Sequence, residues 1–261
     1  MGDALGSPLH SAIEALAEAR HLLVAMDFDG TMAPFTDRPE DARPLPAAAR
    51  ALAEIGALDN TTTALLSGRH LDSLRLVASP GDGVLLVGSH GAERWAPEAY
   101  WSGAGDLALD AAQANLLETV RTRLERVATE HPGALLETKP AGIVLHVRQS
   151  APETAAAALA AGRAALADLE GVRLSDGKAV LESSVVNADK GAGLEWLREL
   201  VGADAVLFVG DDVTDEHAFA VLRPGDVGVK VGSGETRAGY RVDGTADVPA
   251  LLQTVLRVRR L

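Results

Sequence analysis

Two carboxylates two residues apart, Asp27 and Asp29 of Asp27-Phe28-Asp29-Gly30-Thr31, follow directly on the apolar run Leu22 to Met26. At the end of a strand both could face one pocket, one attacking as a nucleophile while its neighbour donates and accepts protons. A divalent cation between them would screen their repulsion. The same residues also suit a plain acidic turn, which Asp and Gly favour. A second cluster, Gly210-Asp211-Asp212-Val213-Thr214-Asp215-Glu216, again follows an apolar run. Its crowded carboxylates repel one another without a counter-charge, so a hard cation on oxygen ligands accounts for them economically. A solvated loop capping the next helix through Thr214 or Asp215 is the alternative.

Two further signals stand at matching places. In Ser67-Gly68-Arg69 a hydroxyl and the backbone N–H groups of the following helix could hold a phosphoryl oxygen, although a Ser-Gly pair is more often a turn. Lys190, within Asp189-Lys190-Gly191, opens a helical pattern. An ammonium there could neutralise a carboxylate nucleophile and phosphate oxygens together, while a lone lysine ordinarily faces solvent.

The elements that must carry these groups are legible as short apolar runs. Leu22 to Met26, Thr63 to Leu66, Ala205 to Val209 and Val227 to Val231 lack polar alternation, which suits strands covered on both faces. Helical spacing separates them, over Pro46 to Ile55 and Lys190 to Val201. The order predicts an α/β fold with a doubly wound, Rossmann-like parallel sheet whose functional groups collect at the strands' carboxyl ends. The middle of the chain differs. A helix over Asp110 to Glu130 is followed by strand-like Leu135 to Thr138 and Gly142 to Arg148. A second helix over Pro152 to Leu169 precedes Val172 to Ser175 and Lys178 to Ser183, with Asp176-Gly177 as a hairpin turn signal. This is an inserted α+β unit of αββαββ type, giving a core domain over 1–104 and 184–261 and a cap domain over 105–183.

A chain of 261 residues, nearly half apolar, can bury a substantial core. Its formal charge of −13 argues against collecting nucleic acid or anionic lipid by bulk attraction. A phosphorylated substrate then needs a local positive site or a metal ion. With no cysteine, disulfides and thiolate metal sites are excluded. Early acidic residues and the lack of a long apolar run predict no signal peptide and no membrane span, hence a soluble, cytoplasmic protein, taken as a monomer.

The order of the four signals, strand-Asp-x-Asp-Gly-Thr, strand-Ser, Lys and strand-Gly-Asp-Asp, resembles the haloacid dehalogenase-like phosphatase superfamily. The resemblance implies Mg²⁺ as cofactor, held by Asp27, Asp29 and Asp211, with Asp212 and Asp215 behind them. It makes Asp27 the nucleophile, Asp29 the general acid and base, and Ser67 and Lys190 the phosphoryl-binding groups.

The two-residue period of two inserted strands puts Val144, His146 and Arg148 on one face and Lys178, Val180 and Glu182 on one face, and their polar groups suit a pocket that hydrogen-bonds sugar hydroxyls. The wet side of an antiparallel sheet would look the same. Residues 27–34, 66–69, Gly-Ser-His-Gly-Ala-Glu at 88–93, Lys139, His146 with Arg148, Gly177-Lys178 with Glu182, and 210–216 together resemble the trehalose-6-phosphate phosphatase family. The likeness implies a small sugar-phosphate substrate bound through Thr31, Gly68 and Arg69. His90 and Gly91 would lie where core and cap meet, and Lys139, His146, Arg148, Lys178 and Glu182 would contact the distal glucose. After Glu182 the chain has Ser183-Ser184-Val185, where the family commonly shows an Arg-Pro-like continuation. Another phosphorylated disaccharide or pseudo-disaccharide therefore stays open as substrate, as does a catalytically silent sugar-phosphate binding module.

Overall fold

The computed structural model describes residues 7–100, 109–177, 179–186 and 188–260. It divides into two compact units, one of Met1–Asp106 with Ala188–Leu261, the other of Leu107–Asn187.

The first unit runs α1 (Ser7–Ala17), β1 (Leu22–Asp27), α2 (Pro46–Gly56), β2 (Thr61–Leu66), α3 (Leu71–Ala78), β3 (Leu85–Gly88) and β4 (Glu93–Trp95). In the second unit follow α4 (Ala111–Glu130), β5 (Leu135–Lys139), β6 (Gly142–His146), α5 (Pro152–Leu166), β7 (Arg173–Gly177) and β8 (Val180–Ser184). The chain then returns as α6 (Lys190–Val201), β9 (Ala205–Gly210), α7 (Asp215–Ala220), β10 (Val227–Val231), β11 (Tyr240–Val242) and α8 (Val248–Arg259).

The core sheet has the order β11-β10-β9-β1-β2-β3-β4, parallel except for β4. Every residue of β1, β2, β9 and β10 is buried, as strands between two helical layers are. Side chains alternate. Leu22, Val24 and Met26 join a cluster that includes Ile13, Leu52 and Leu251 of α1, α2 and α8. Leu23 and Ala25 join Leu194 and Leu197 of α6 on the opposite face. Local signals set the helix ends: Pro46 starts α2, the Asp189 side chain caps α6 by accepting from the Ala192 N–H, and Gly202 closes α6 at φ 63°.

The second unit is an antiparallel sheet of order β5-β6-β8-β7. Asp110 and Gln113 form a capping box that fixes the start of α4. On one sheet face Leu145 and Leu181 lie 3.0 Å from where a Cβ on Gly162 of α5 would stand, so a larger residue there would push these leucine side chains aside. The register puts Glu137, Lys139, Val144, His146, Val180 and Glu182 on the other face. The molecule is thus α/β, with a doubly wound parallel core and an α+β insertion. One turn differs from expectation: Asp176 and Gly177 pair with Leu181 and Val180 inside the sheet, so the reversal falls between Gly177 and Val180. The pairing of flanking strand residues overrides the local Asp-Gly preference.

Candidate active site

Strand parity aims the first carboxylate. Asp27 follows Leu23 and Ala25 in the series facing α6, and the first residue of α6 is Lys190. Lys190 Nζ donates to Asp27 Oδ1 at 2.5 Å and to Asp215 Oδ1 at 2.7 Å, with the lysine only 2% exposed. Asp215 Oδ2 accepts the N–H groups of Asp211 (2.9 Å) and Asp212 (2.8 Å), so this residue both holds the lysine and shapes the acidic loop. A Cβ at Gly210 would stand 2.3 Å from the Asp215 carboxylate, which explains glycine there.

The charges do not balance. Burial pushes the Asp27 carboxyl well above the usual range, and Asp215 and Asp211 add to the shift while Lys190 opposes it. Burial and then Asp215 raise Asp211 to about 6. Burial works against charge on Lys190, yet the Asp27 and Asp215 carboxylates outweigh it and hold the ammonium above its ordinary range. The Asp27 Oδ2 atom is buried and meets no hydrogen-bond donor among the described residues. Carboxylate oxygens of Asp27, Asp211 and Asp215 come within 4.8 Å of one another. An unpartnered oxygen in such a set fits a hard divalent cation. The buried Thr31 donates from Oγ1 to Asp211 Oδ1 at 3.5 Å, while Asp212 is exposed.

Asp29 lies outside that set. Arg69 clamps it, Nε to Oδ2 at 2.6 Å and Nη2 to Oδ1 at 2.7 Å, with the guanidinium 5.7 Å above the Phe28 ring. Among the described side chains Asp215, not Asp29, completes the carboxylate cluster, because a bidentate arginine is the nearer source of charge for Asp29.

The segment 88–93 braces the rest. Ser67 is buried and its Oγ accepts the Arg69 N–H at 3.1 Å. Its carbonyl accepts the His90 N–H, and the Arg69 carbonyl accepts that of Ser89. Gly68 sits against the His90 ring, where a Cβ would come within 2.5 Å. Ser89, His90 and Gly91 all have positive φ, and a Cβ on Gly91 would stand 2.3 Å from the Asp189 carbonyl oxygen. The turn therefore links Ser67 to the residue preceding Lys190. The first N–H groups of α3 are partly spoken for, Leu71 donating to Glu93 and Ser73 to the His70 ring.

Two residues escaped the sequence reading. Thr245 Oγ1 donates to the Gly30 carbonyl at 2.5 Å, across 215 residues of sequence, and nothing local announces it. Lys230 donates to the Asp211 carbonyl. A lysine inside the apolar run Val227–Val231 was the available signal.

In the second unit His146 Nε2 lies 2.8 Å from Glu137 Oε2, and Lys139 Nζ lies 3.8 Å from Glu182 Oε1. Arg148 falls beyond β6, exposed in the following turn, so it does not continue the Val144–His146 series. Lys178 lies outside the described residues.

The sequence matches a family model described as trehalose-phosphatase over residues 25–246. It is 35% identical over 243 residues to a Mycobacterium avium trehalose-phosphate phosphatase, covering 87% of this chain and 59% of that protein. A Mycobacterium leprae trehalose-phosphate phosphatase is 33% identical over 245 residues, covering 87% and 55%. The chain thus spans little more than half the length of these relatives. In fold it is similar to the C-terminal domain of Candida albicans trehalose-6-phosphate phosphatase, with TM-score 0.75 at 22% identity over 98% of this chain and 99% of that one.

Proposed function

Because the chain belongs to the trehalose-phosphatase family, we propose that it is a magnesium-dependent phosphatase releasing phosphate from trehalose 6-phosphate through an aspartyl phosphate on Asp27. The observation that carries this reading is the buried Lys190 bridging Asp27 and Asp215 while Asp27 Oδ2 keeps no donor among the described residues. A binding module has no need of a free nucleophilic oxygen beside a proton shuttle.

Asp27, Asp211 and Asp215 are the residues to hold the cation, Asp215 also keeping Lys190 in place. When bound, Mg²⁺ supplies the charge that lets an anionic ester approach a carboxylate. Lys190, fixed on Asp27 Oδ1, neutralises phosphoryl oxygens as charge develops. The Asp27 Oδ2 atom attacks phosphorus in line as the bond to the sugar oxygen breaks. Asp29 delivers the proton that the departing oxygen takes up. Asp29 then removes a proton from water, which attacks phosphorus and frees Asp27. To do so Asp29 must leave the Arg69 clamp, and an incoming phosphate dianion competes for that guanidinium. Ser67 would bind a phosphoryl oxygen, and the polar face carrying Lys139, His146 and Glu182 would read the sugar. We take the protein to act as a cytoplasmic monomer.

Phosphate release from trehalose 6-phosphate, its loss with chelator and its absence in Asp27→Asn are the expected results. Sucrose, glucose and pseudo-disaccharide phosphates complete the panel, because Ser183 turns its hydroxyl to the Ile143 backbone instead of offering a polar contact. Faster turnover of one of these would reassign the substrate, and no release from any would sink the enzymatic reading.

A further inference from the structure

Lys230 is the fourth of the five residues of β10, in a run buried throughout, and is itself 4% exposed. An ammonium in such surroundings is costly unless it is partnered. Its Nζ donates to the main-chain oxygen of Asp211, and Glu216 Oε1 lies 4.0 Å away. That Glu216 oxygen is buried without a hydrogen bond among the described residues, while Oε2 accepts the Arg237 N–H at 2.7 Å. The Lys230 backbone pairs with Gly210, the residue before Asp211. Asp211 is therefore held at both ends of its backbone, its N–H by Asp215 Oδ2 and its carbonyl by Lys230.

We infer that Lys230 is a positioning residue for the cation site: by gripping the Asp211 carbonyl it fixes the direction in which the Asp211 carboxylate points. The inference rests on the reading above that Asp211 is a cation ligand. Lys230 touches neither substrate nor reacting atoms in this role. A rival explanation, that it only offsets the acidic loop, makes the opposite prediction. A positive charge near a cation site repels the cation, so removing a mere counter-charge would tighten binding. Removing a positioning group loosens it, because the ligand is no longer pre-aimed.

The sign is decided by calorimetric Mg²⁺ titration of the intact chain, wild type against Lys230→Met and Lys230→Gln. Loss of an outer-shell partner is expected to weaken Mg²⁺ binding by about tenfold or more in the Met variant. Gln, which keeps a donor, is expected to fall between Met and wild type. The Mg²⁺ concentration that gives half-maximal turnover is expected to rise in the same order. Affinity equal to or tighter than wild type in either soluble variant overturns the inference, and the Gln variant decides if Met does not fold. Wild-type Mg²⁺ binding without phosphate release from any sugar phosphate would remove the proposed function and leave the calorimetric comparison to decide on Lys230.

Discussion

Asp27 engages Lys190 through one oxygen, while the other meets no donor among the described residues, and the proposed nucleophilic role depends on this asymmetry. Lys190→Met would leave Asp27 and Asp215 facing each other without compensation. Breaking a buried pair from one side costs about 3 kcal/mol or more. At roughly 2–4 °C per kcal/mol for a chain of this size, the unfolding midpoint in chelator should fall by about 6 °C or more, with Mg²⁺ recovering part of it. An unchanged midpoint would show that the lysine carries no such load. Asp211 gives a pH signature. Its folded value of about 6 exceeds the ordinary 3.8, so the cation-free fold holds this proton more tightly than the unfolded chain does. The associated stability is fully present below the ordinary value and is lost as pH rises through about 6. A cation must displace that proton, so Mg²⁺ should raise the midpoint more near pH 7.5 than near pH 5, about a unit or more to either side of the Asp211 value. Equal shifts would count against a cation on Asp211. The acids were legible because they stand at the ends of apolar runs, and Lys190 because it opens a helix after Asp189. Which carboxylate pairs with which cation was not, since Arg69 reaches Asp29 through side-chain geometry that spacing does not encode.

The turn 88–91 matters at the scale of elements, because it joins the loop after β2 to the start of α6. Gly91→Ala combines a φ of +112° with a Cβ 2.3 Å from the Asp189 carbonyl, so the helix bearing Lys190 must shift. Such backbone strain costs about 1–3 kcal/mol, and turnover should fall along with stability. Gly83→Ala, with nothing within 4 Å, is the matched control and should leave both unchanged. Wild-type turnover in Gly91→Ala would mean that the turn does not position Lys190. Strands β1 and β9 were readable because burial on both faces writes an apolar run, while β2 and β10 showed through the apolar residues beside their threonines and Lys230. The three-residue strands β4 and β11 were not, being too short for any period to show. The segment 88–93 stood out through family resemblance alone, and its turn was not legible, since positive φ at consecutive Ser89 and His90 is uncommon outside glycine.

At the scale of the whole molecule, the proposed function gives phosphate binding to the first unit and sugar binding to the polar sheet face of the second. Charged hydrogen bonds of the kind Glu182 can make are worth about 1.5–3 kcal/mol, so Glu182→Gln should raise KM for the disaccharide phosphate roughly tenfold or more. Hydrolysis of p-nitrophenyl phosphate, which has no second sugar, should be unaffected. A proportional loss on both substrates would take Glu182 out of sugar recognition. The order of strands in the core sheet has a further consequence, for how the protein is made. β1 lies between β2 and β9, and Leu22 pairs with both Thr61 and Ala205. On a ribosome adding about 5–20 residues per second, the later partner emerges about 180 residues after Leu22, on the order of 10–40 s later. Throughout that interval an apolar strand keeps one flank of open backbone groups, a template for pairing with other nascent chains. Soluble yield should therefore rise when a holding chaperone is co-expressed, and the molecule's most central strand is also its most hazardous while translation is unfinished.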